Sequence, residues 1–291
     1  MLHLINTKVL LSGAMILAAA AVVIGATFAF FSDTETSQDN TFVAGDIDLK
    51  IDNTSYAIDH NIPNFNGTPS GVLVASINTS WTLRDLTVEK FFDFVDLKPG
   101  DIGEDTISVH VGSNDAWMCA AAQVTQDTDE SCTDPELGDD PSCVPTATNG
   151  ELDEEVNFAF WVDDGDNVFE NDENTFLSGP LSGLGQQGQI TLADSLSSIL
   201  GATNPIPGGT TFFIGKAWCF GEMTGNAVLQ DNGTDAGRNP ITDGTGFLCD
   251  GTDVNNAAQT DKVVGDLQFF AVQSRNNQEF TCADGFTPTW E

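Results

Sequence analysis

The strongest restriction on this chain is the way an apolar leader runs through a short spacer into a strand pattern of unbroken alternation. Val9 to Ile24 is apolar except for Ser12 and Gly13, and Lys8 is the charged side chain ahead of it. Small residues gather at Gly25, Ala26, Thr27 and Ala29, followed by Phe30-Phe31-Ser32-Asp33 and an acidic, polar spacer. Towards Asp52 the pattern changes, with Ile47, Leu49 and Ile51 set between Asp46, Asp48, Lys50 and Asp52. A basic start, an apolar stretch and a small-residue ending make an export signal. A period of two makes a strand. The expected division is a signal peptide over residues 1–29, cut between Ala29 and Phe30, an extension over 30–43, and a folded domain over 44–291. Leu10 to Phe31 is also long and apolar enough to span a bilayer, so a retained anchor stays open beside cleavage. Either way the bulk of the chain is expected outside the membrane, which it meets through residues 9–31.

Downstream the chain reads as short strands punctuated by turns. Val72 to Ile77, Thr106 to Val111, Trp117 to Val124, Val156 to Val162, Thr210 to Phe220 and Leu267 to Gln273 are strand-like. In the second of these, Ile107, Val109 and Val111 alternate with Ser108 and His110, which predicts a half-buried strand. Lys98-Pro99-Gly100-Asp101 is a turn signal. Asn53 to Gly71 reads as a loop, and residues 125–154 and 221–261 read as long polar insertions. Leu192, Leu196, Ile199 and Leu200 stand at helical spacing between Thr191 as N-cap and Gly201 as stop, which predicts one short helix. Short strands with a single helix indicate an all-β domain, an antiparallel β-sandwich with long loop insertions.

The formal net charge is −35, with nine basic residues. Such a surface repels nucleic acid and anionic lipid and attracts divalent cations. Six cysteines follow the leader, Cys119, Cys132, Cys143, Cys219, Cys249 and Cys282. An even count in an exported chain implies disulfides, with fifteen possible pairings. Short loop closure favours Cys132–Cys143 and Cys219–Cys249, which leaves Cys119–Cys282. Possible glycosylation sequons stand at Asn53, Asn66, Asn78 and Asn232.

The densest chemistry lies after Val162, where six of the eleven residues from Asp163 to Glu173 are carboxylates. Calcium takes six to eight oxygen ligands, and a glycine inside the loop permits a sharp turn. The expected ligands are Asp163, Asp164, Asp166, Asn167, Glu170 and Glu173, with Asp172 beside them. The spacing is not that of an EF-hand, and a solvated acidic loop remains the alternative. Asp127-Thr-Asp-Glu130 and Asp139-Asp140 are weaker ion sites of the same kind. Signals for an enzyme are poor. The histidines are His3, His60 and His110, and neither His-Glu-x-x-His nor Gly-x-Ser-x-Gly occurs.

Thr27-Phe28-Ala29-Phe30-Phe31-Ser32-Asp33, then Asn40-Thr41-Phe42-Val43-Ala44-Gly45-Asp46-Ile47-Asp48-Leu49, resembles the start of the TasA–camelysin family. Asp96-Leu97-Lys98-Pro99-Gly100-Asp101 with the strand after it is a second match, and the segment from Gly265 to Gln273 a weaker third. The resemblance implies a jelly roll and a place among biofilm matrix fibre subunits and bundling pili. It also brings in the camelysin branch, labelled metallopeptidase. The leading expectation is a secreted, non-enzymatic structural subunit, a homopolymer built by strand exchange. Phe30, Phe31, Phe42 and Val43 would plug the donor strand, and signal peptidase would free it. The alternative is a monomeric or membrane-anchored surface module that binds calcium, glycan or other matrix and envelope components. A secreted metallopeptidase is the third reading.

Overall fold

The computed structural model describes residues 47–62, 71–201, 205–231 and 237–290. The expected signal peptide, the Ala29–Phe30 cleavage point, the donor segment with Phe30, Phe31, Phe42 and Val43, and the sequons at Asn66 and Asn232 lie outside these residues. The described strands are β1 (Leu49–Asp59), β2 (Val72–Ala75), β3 (Trp81–Arg84), β4 (Ile102–Val111), β5 (Ala116–Asp129), β6 (Val156–Asp163), β7 (Thr175–Pro180), β8 (Gln189–Ala193), β9 (Thr211–Phe220), β10 (Glu222–Gly225), β11 (Phe247–Asp250) and β12 (Asp261–Gln273). Five one-turn or slightly longer helices, α1 (Asp134–Asp139), α2 (Leu152–Glu155), α3 (Leu181–Leu184), α4 (Pro240–Asp243) and α5 (Cys282–Gly285), sit in the connections. None is long and apolar enough to cross a membrane.

The fold is all-β. A seven-stranded sheet runs in the order β2-β1-β4-β9-β6-β7, with β3 also on β1, and a three-stranded sheet runs β12-β5-β8. Their strand pairs are antiparallel. Successive side chains of a strand point to opposite faces, and the central strands use this fully. Ile107 and Val109 of β4, Phe212 and Ile214 of β9, and Phe158 and Phe160 of β6 meet Met118, Ala120 and Leu192 of the smaller sheet in one core. Each fully buried large aliphatic or aromatic side chain contributes roughly 1.5–3 kcal/mol. The other face of the large sheet is covered too. Trp161, Ala217 and Phe247 form a separate cluster there with Phe169 and Met223.

That double covering corrects the reading of β4 as half-buried, because Glu104, Thr106 and Ser108 on its outer face are also buried. Asn53 to Asp59, expected as loop, continues β1 in register with β4 from Asn53↔Ile107 to Ala57↔Gly103. The two insertions are shorter than expected. Residues 125–129 extend β5 against Asp261 to Val264 of β12, and β10 pairs with β11 inside 221–261.

The predicted helix over 191–200 is absent. Leu192 is buried in β8, which pairs with β5 at Met118↔Ala193 and Cys119↔Thr191. The Asp194 carboxylate then accepts from Leu196 N and Ser197 N at 2.9 Å each and bends the chain. Leu196 is exposed. The sheet partner outweighs the helical spacing, and an aspartate that binds its own backbone favours a turn. At Lys98 to Asp101 the turn is present, with Asp101 N bonded to Lys98 O at 2.9 Å. Three disulfides join Cys119–Cys282, Cys132–Cys143 and Cys219–Cys249.

Candidate metal centre

β6 ends at Asp163, and two left-handed positions fold the chain back over the sheet. Gly165 has φ of 112° and Asn167 φ of 67°. Positive φ suits glycine and asparagine better than other residues. The loop is then pinned by its own apolar side chains. Val168 is fully buried, and the Phe169 ring stacks on Phe247 at 4.7 Å and meets Trp161 edge-on at 5.6 Å. A sequence dominated by carboxylates is therefore held against the outer face of β4 rather than left in solvent.

Pinning brings the charges together. Asp163 accepts from Thr106 Oγ1 of β4 at 2.9 Å and from Trp161 Nε1 at 3.2 Å. Glu173 takes Asp164 N at 3.1 Å on one oxygen and Glu170 N at 2.9 Å on the other, which closes the loop. Asp163, Asp164 and Glu173 present oxygens within 4.8 Å of one another. Asp166 uses one oxygen for Val168 N at 2.9 Å, and its buried Oδ2 has no partner. Asn167 donates to Thr54 O at 3.2 Å while its Oδ1 is likewise buried and unpaired.

One residue in this group had no place among the expected ligands. Glu104 of β4 is fully buried, and both of its carboxylate oxygens lack a hydrogen-bond partner. Burial, and then the charges of Asp163, Asp105, Asp166 and Glu173, push its carboxyl well above the usual range. Along the sequence Glu104-Asp105 shows as two adjacent carboxylates in a strand that also carries Thr106, Ser108 and His110, so no local signal sets Glu104 apart. Burial leads the shift elsewhere too, raising Asp163 to about 6, Asp166 to about 7 and Glu173 to about 8. An ionised carboxylate buried without compensation costs several kcal/mol, so the cluster calls for protons or a cation.

Glu170 and Asp172 separate from this set. Glu170 is fully buried and receives Arg238 Nη1, Gln230 Nε2 and, at 3.2 Å, Asp231 N. With Asp164 and Asp231 it makes a second close group, but one that Arg238 already neutralises in part. Asp172 is exposed and belongs to neither group. Asp163, Asp164 and Glu173 form the close carboxylate group, and Glu104, Asp166 and Asn167 add buried oxygens without a hydrogen-bond partner to the same region. All six offer oxygen, as calcium prefers. Among the described residues no close carboxylate group includes a histidine. His60 Nε2 instead lies 2.8 Å from Asp101 Oδ2, and His110 Nε2 2.7 Å from Asp52 Oδ2. Of the described sequons, Asn53 is buried in β1, donating to Thr79 O at 2.7 Å, which leaves no room for a glycan in the folded domain; Asn78 is exposed.

Among curated proteins none matches the chain. The profile of one family, described as camelysin metallo-endopeptidase, matches residues 6–65. The likeness to the TasA–camelysin family is thereby shown, and residues 6–65 carry it.

Proposed function

We propose that this chain is an exported structural subunit that polymerises by strand addition into extracellular fibres or bundling pili. The observation that carries the reading is β12. It runs 13 residues and, among the described residues, pairs on one side only, with β5. A long open edge is a template for another strand. Leu267 and Phe269 of β12 also line an apolar cleft between the sheets with Phe176, Leu177, Ile190 and Leu192. The extension over residues 30–43 is close to β12 in length, contains no proline and carries Phe30, Phe31, Phe42 and Val43. In this reading signal peptidase frees it, and it adds to a second copy. A head-to-tail contact of this kind grows into an open filament. Calcium held by the 163–173 loop and Glu104 makes the acidic subunit rigid. The jelly-roll assignment belongs to the same proposal. It is supported by the passage of the chain through β4, β5, β6, β8, β9 and β12, which alternate between the two sheets.

Electron microscopy of the secreted protein tests assembly. Filaments are expected from the chain beginning at Phe30 and not from one beginning at Ala44, and excess synthetic peptide of residues 30–43 should shorten them. Filaments of equal length from both chains would overturn the donor role.

A membrane-anchored calcium-binding surface module is the second reading, favoured by the apolar length from Leu10 to Phe31. Mass spectrometry of the mature amino terminus separates the two. A peptidase reading draws on the family description alone; the all-oxygen donor set around Glu104 lacks the imidazole ligands usual in catalytic zinc sites.

A further inference from the structure

A second group of carboxylates lies at the opposite end of β6 and shares no residue with the first. Asp127 and Asp129 stand at the end of β5, Asp261 opens β12 opposite Asp129, and Glu151 precedes α2. Asp140 follows α1 inside the loop that Cys132–Cys143 closes. Oxygens of Asp129, Glu151 and Asp261 come within 4.8 Å of one another, and Asp140 comes as close to Asp129.

The hydrogen bonding follows one plan. Asp261 Oδ2 accepts from Glu151 N at 2.7 Å and Leu152 N at 3.2 Å, while Oδ1 has no partner. Asp140 Oδ1 accepts from Ser142 N at 2.9 Å, while Oδ2 has none. Asp129 Oδ2 accepts from Val144 N at 3.4 Å, while Oδ1 has none. Asp127 Oδ1 and Glu151 Oε2 are also unpaired and buried. Asp129 is fully buried and Asp140 is 8% exposed. The protein thus spends one oxygen of each of three aspartates on fixing its direction and leaves the other vacant towards its neighbours. No lysine or arginine among the described residues forms an ion pair with any of the five. Gly150 leaves the space clear, since a Cβ there would stand 3.0 Å from both Asp127 Oδ1 and Asp261 Oδ2.

We propose that Asp127, Asp129, Asp140, Glu151 and Asp261 form a second calcium site, which ties the disulfide-closed loop after β5 to the start of β12. Asp129, Glu151 and Asp261 supply the three mutually close oxygens, Asp140 adds one beside Asp129 and Asp127 one beside Gly150, and water would complete the six to eight ligands calcium takes. Burial, and then neighbouring carboxylates, raise Glu151 to about 7 and Asp127 to about 6, as expected of a cluster that a cation would relieve. Asp139, beside it in sequence, plays no part, because its carboxylate is engaged by Asn256 at 2.8 and 2.9 Å.

Calorimetric titration of the full secreted chain with calcium chloride, after removal of divalent ions by chelation, tests this. The paired change Asp129→Asn with Glu151→Gln should lower the calcium stoichiometry by one per chain. It should also abolish calcium protection of Glu130 from a glutamate-specific protease. Glu104→Gln with Asp166→Asn, at the other site, should leave that protection intact, so failure at one site is read separately from failure at the other. Amides relieve the repulsion, so the Asp129/Glu151 variant should melt no lower than the parent in chelator, which reports that it folds. If it does not fold, Glu151→Gln alone, at a half-buried position, should weaken this site by about tenfold or more. Unchanged stoichiometry and affinity, or a parent that binds no calcium at this end, would overturn the proposal.

Discussion

Lys216 interrupts the apolar face of β9, between Ile214 and Trp218, and the structure gives it a partner. Its Nζ lies 2.8 Å from Asp105 Oδ1, both side chains are essentially unexposed, and the ammonium sits 3.5 Å from the centre of the Phe92 ring. It also donates to Phe91 O at 3.1 Å. Burial pushes Asp105 up to about 6 despite the lysine beside it, and burial lowers Lys216. Removing one member of a buried pair strands the other charge and costs about 3–5 kcal/mol, whereas replacing both with neutral groups is far milder. Urea unfolding should therefore find Lys216→Met strongly destabilised and Lys216→Met/Asp105→Asn largely recovered. Equal losses in the two would mean that the pair is not what matters. Close packing acts at the same scale on the outer face. A Cβ at Gly215 would stand 2.0 Å from Trp161 Cε2, so the indole lies on bare backbone there.

Between β6 and β7, the acidic loop makes stability depend on pH in a direction opposite to ordinary carboxylate salt bridges. Asp163, Asp166 and Glu173 have folded values of about 6, 7 and 8, raised first by burial from ordinary values of 3.8 for Asp and 4.5 for Glu. The folded state therefore prefers their protonated forms. Their contribution is fully present below the unfolded values and is lost as pH climbs through the folded ones. Glu89, held down to about 2 by Thr87 N and Val88 N, titrates below that window. In chelator the melting temperature should fall as pH rises from about 5 to about 8, with the span set by these raised carboxyls. Saturating calcium should flatten the decline. A melting temperature that rises over this range in chelator would contradict the account. In the same loop Glu170 sits among the other carboxylates in sequence yet turns to Arg238.

For the molecule as a whole, Cys119–Cys282 and Cys219–Cys249 join segments that the sheets leave apart. Cys119–Cys282 spans 163 residues and fastens the tail, whose Phe280 and Phe286 stack on Phe270 of β12, to the first part of β5. Closing a long loop restricts the unfolded chain, typically by about 2–4 kcal/mol. Cys119→Ala/Cys282→Ala should lower the urea midpoint accordingly, while Cys132→Ala/Cys143→Ala, which spans 11 residues, should cost less globally. A larger global loss from the short bridge would contradict the loop-closure argument. Neither change touches the free side of β12, so both variants should still assemble where they remain folded.

The strand-rich class, the turn at Lys98 to Asp101 and the carboxylate loop were legible residue by residue, because each is written in a local pattern of period, charge or turn chemistry. Cysteine spacing pointed to the three bridges for the same reason, with short closures taken first. The strand at Gln189–Ala193, the burial of Asn53 and the length of β12 were not legible, since each depends on a neighbour more than twenty residues away. Glu104 is the clearest case. Its burial without a hydrogen-bond partner arises when β4 passes beneath the 163–173 loop, and a window along the chain cannot contain both. Local spacing sets what a segment is able to form; burial against distant partners sets which of its groups are left to act.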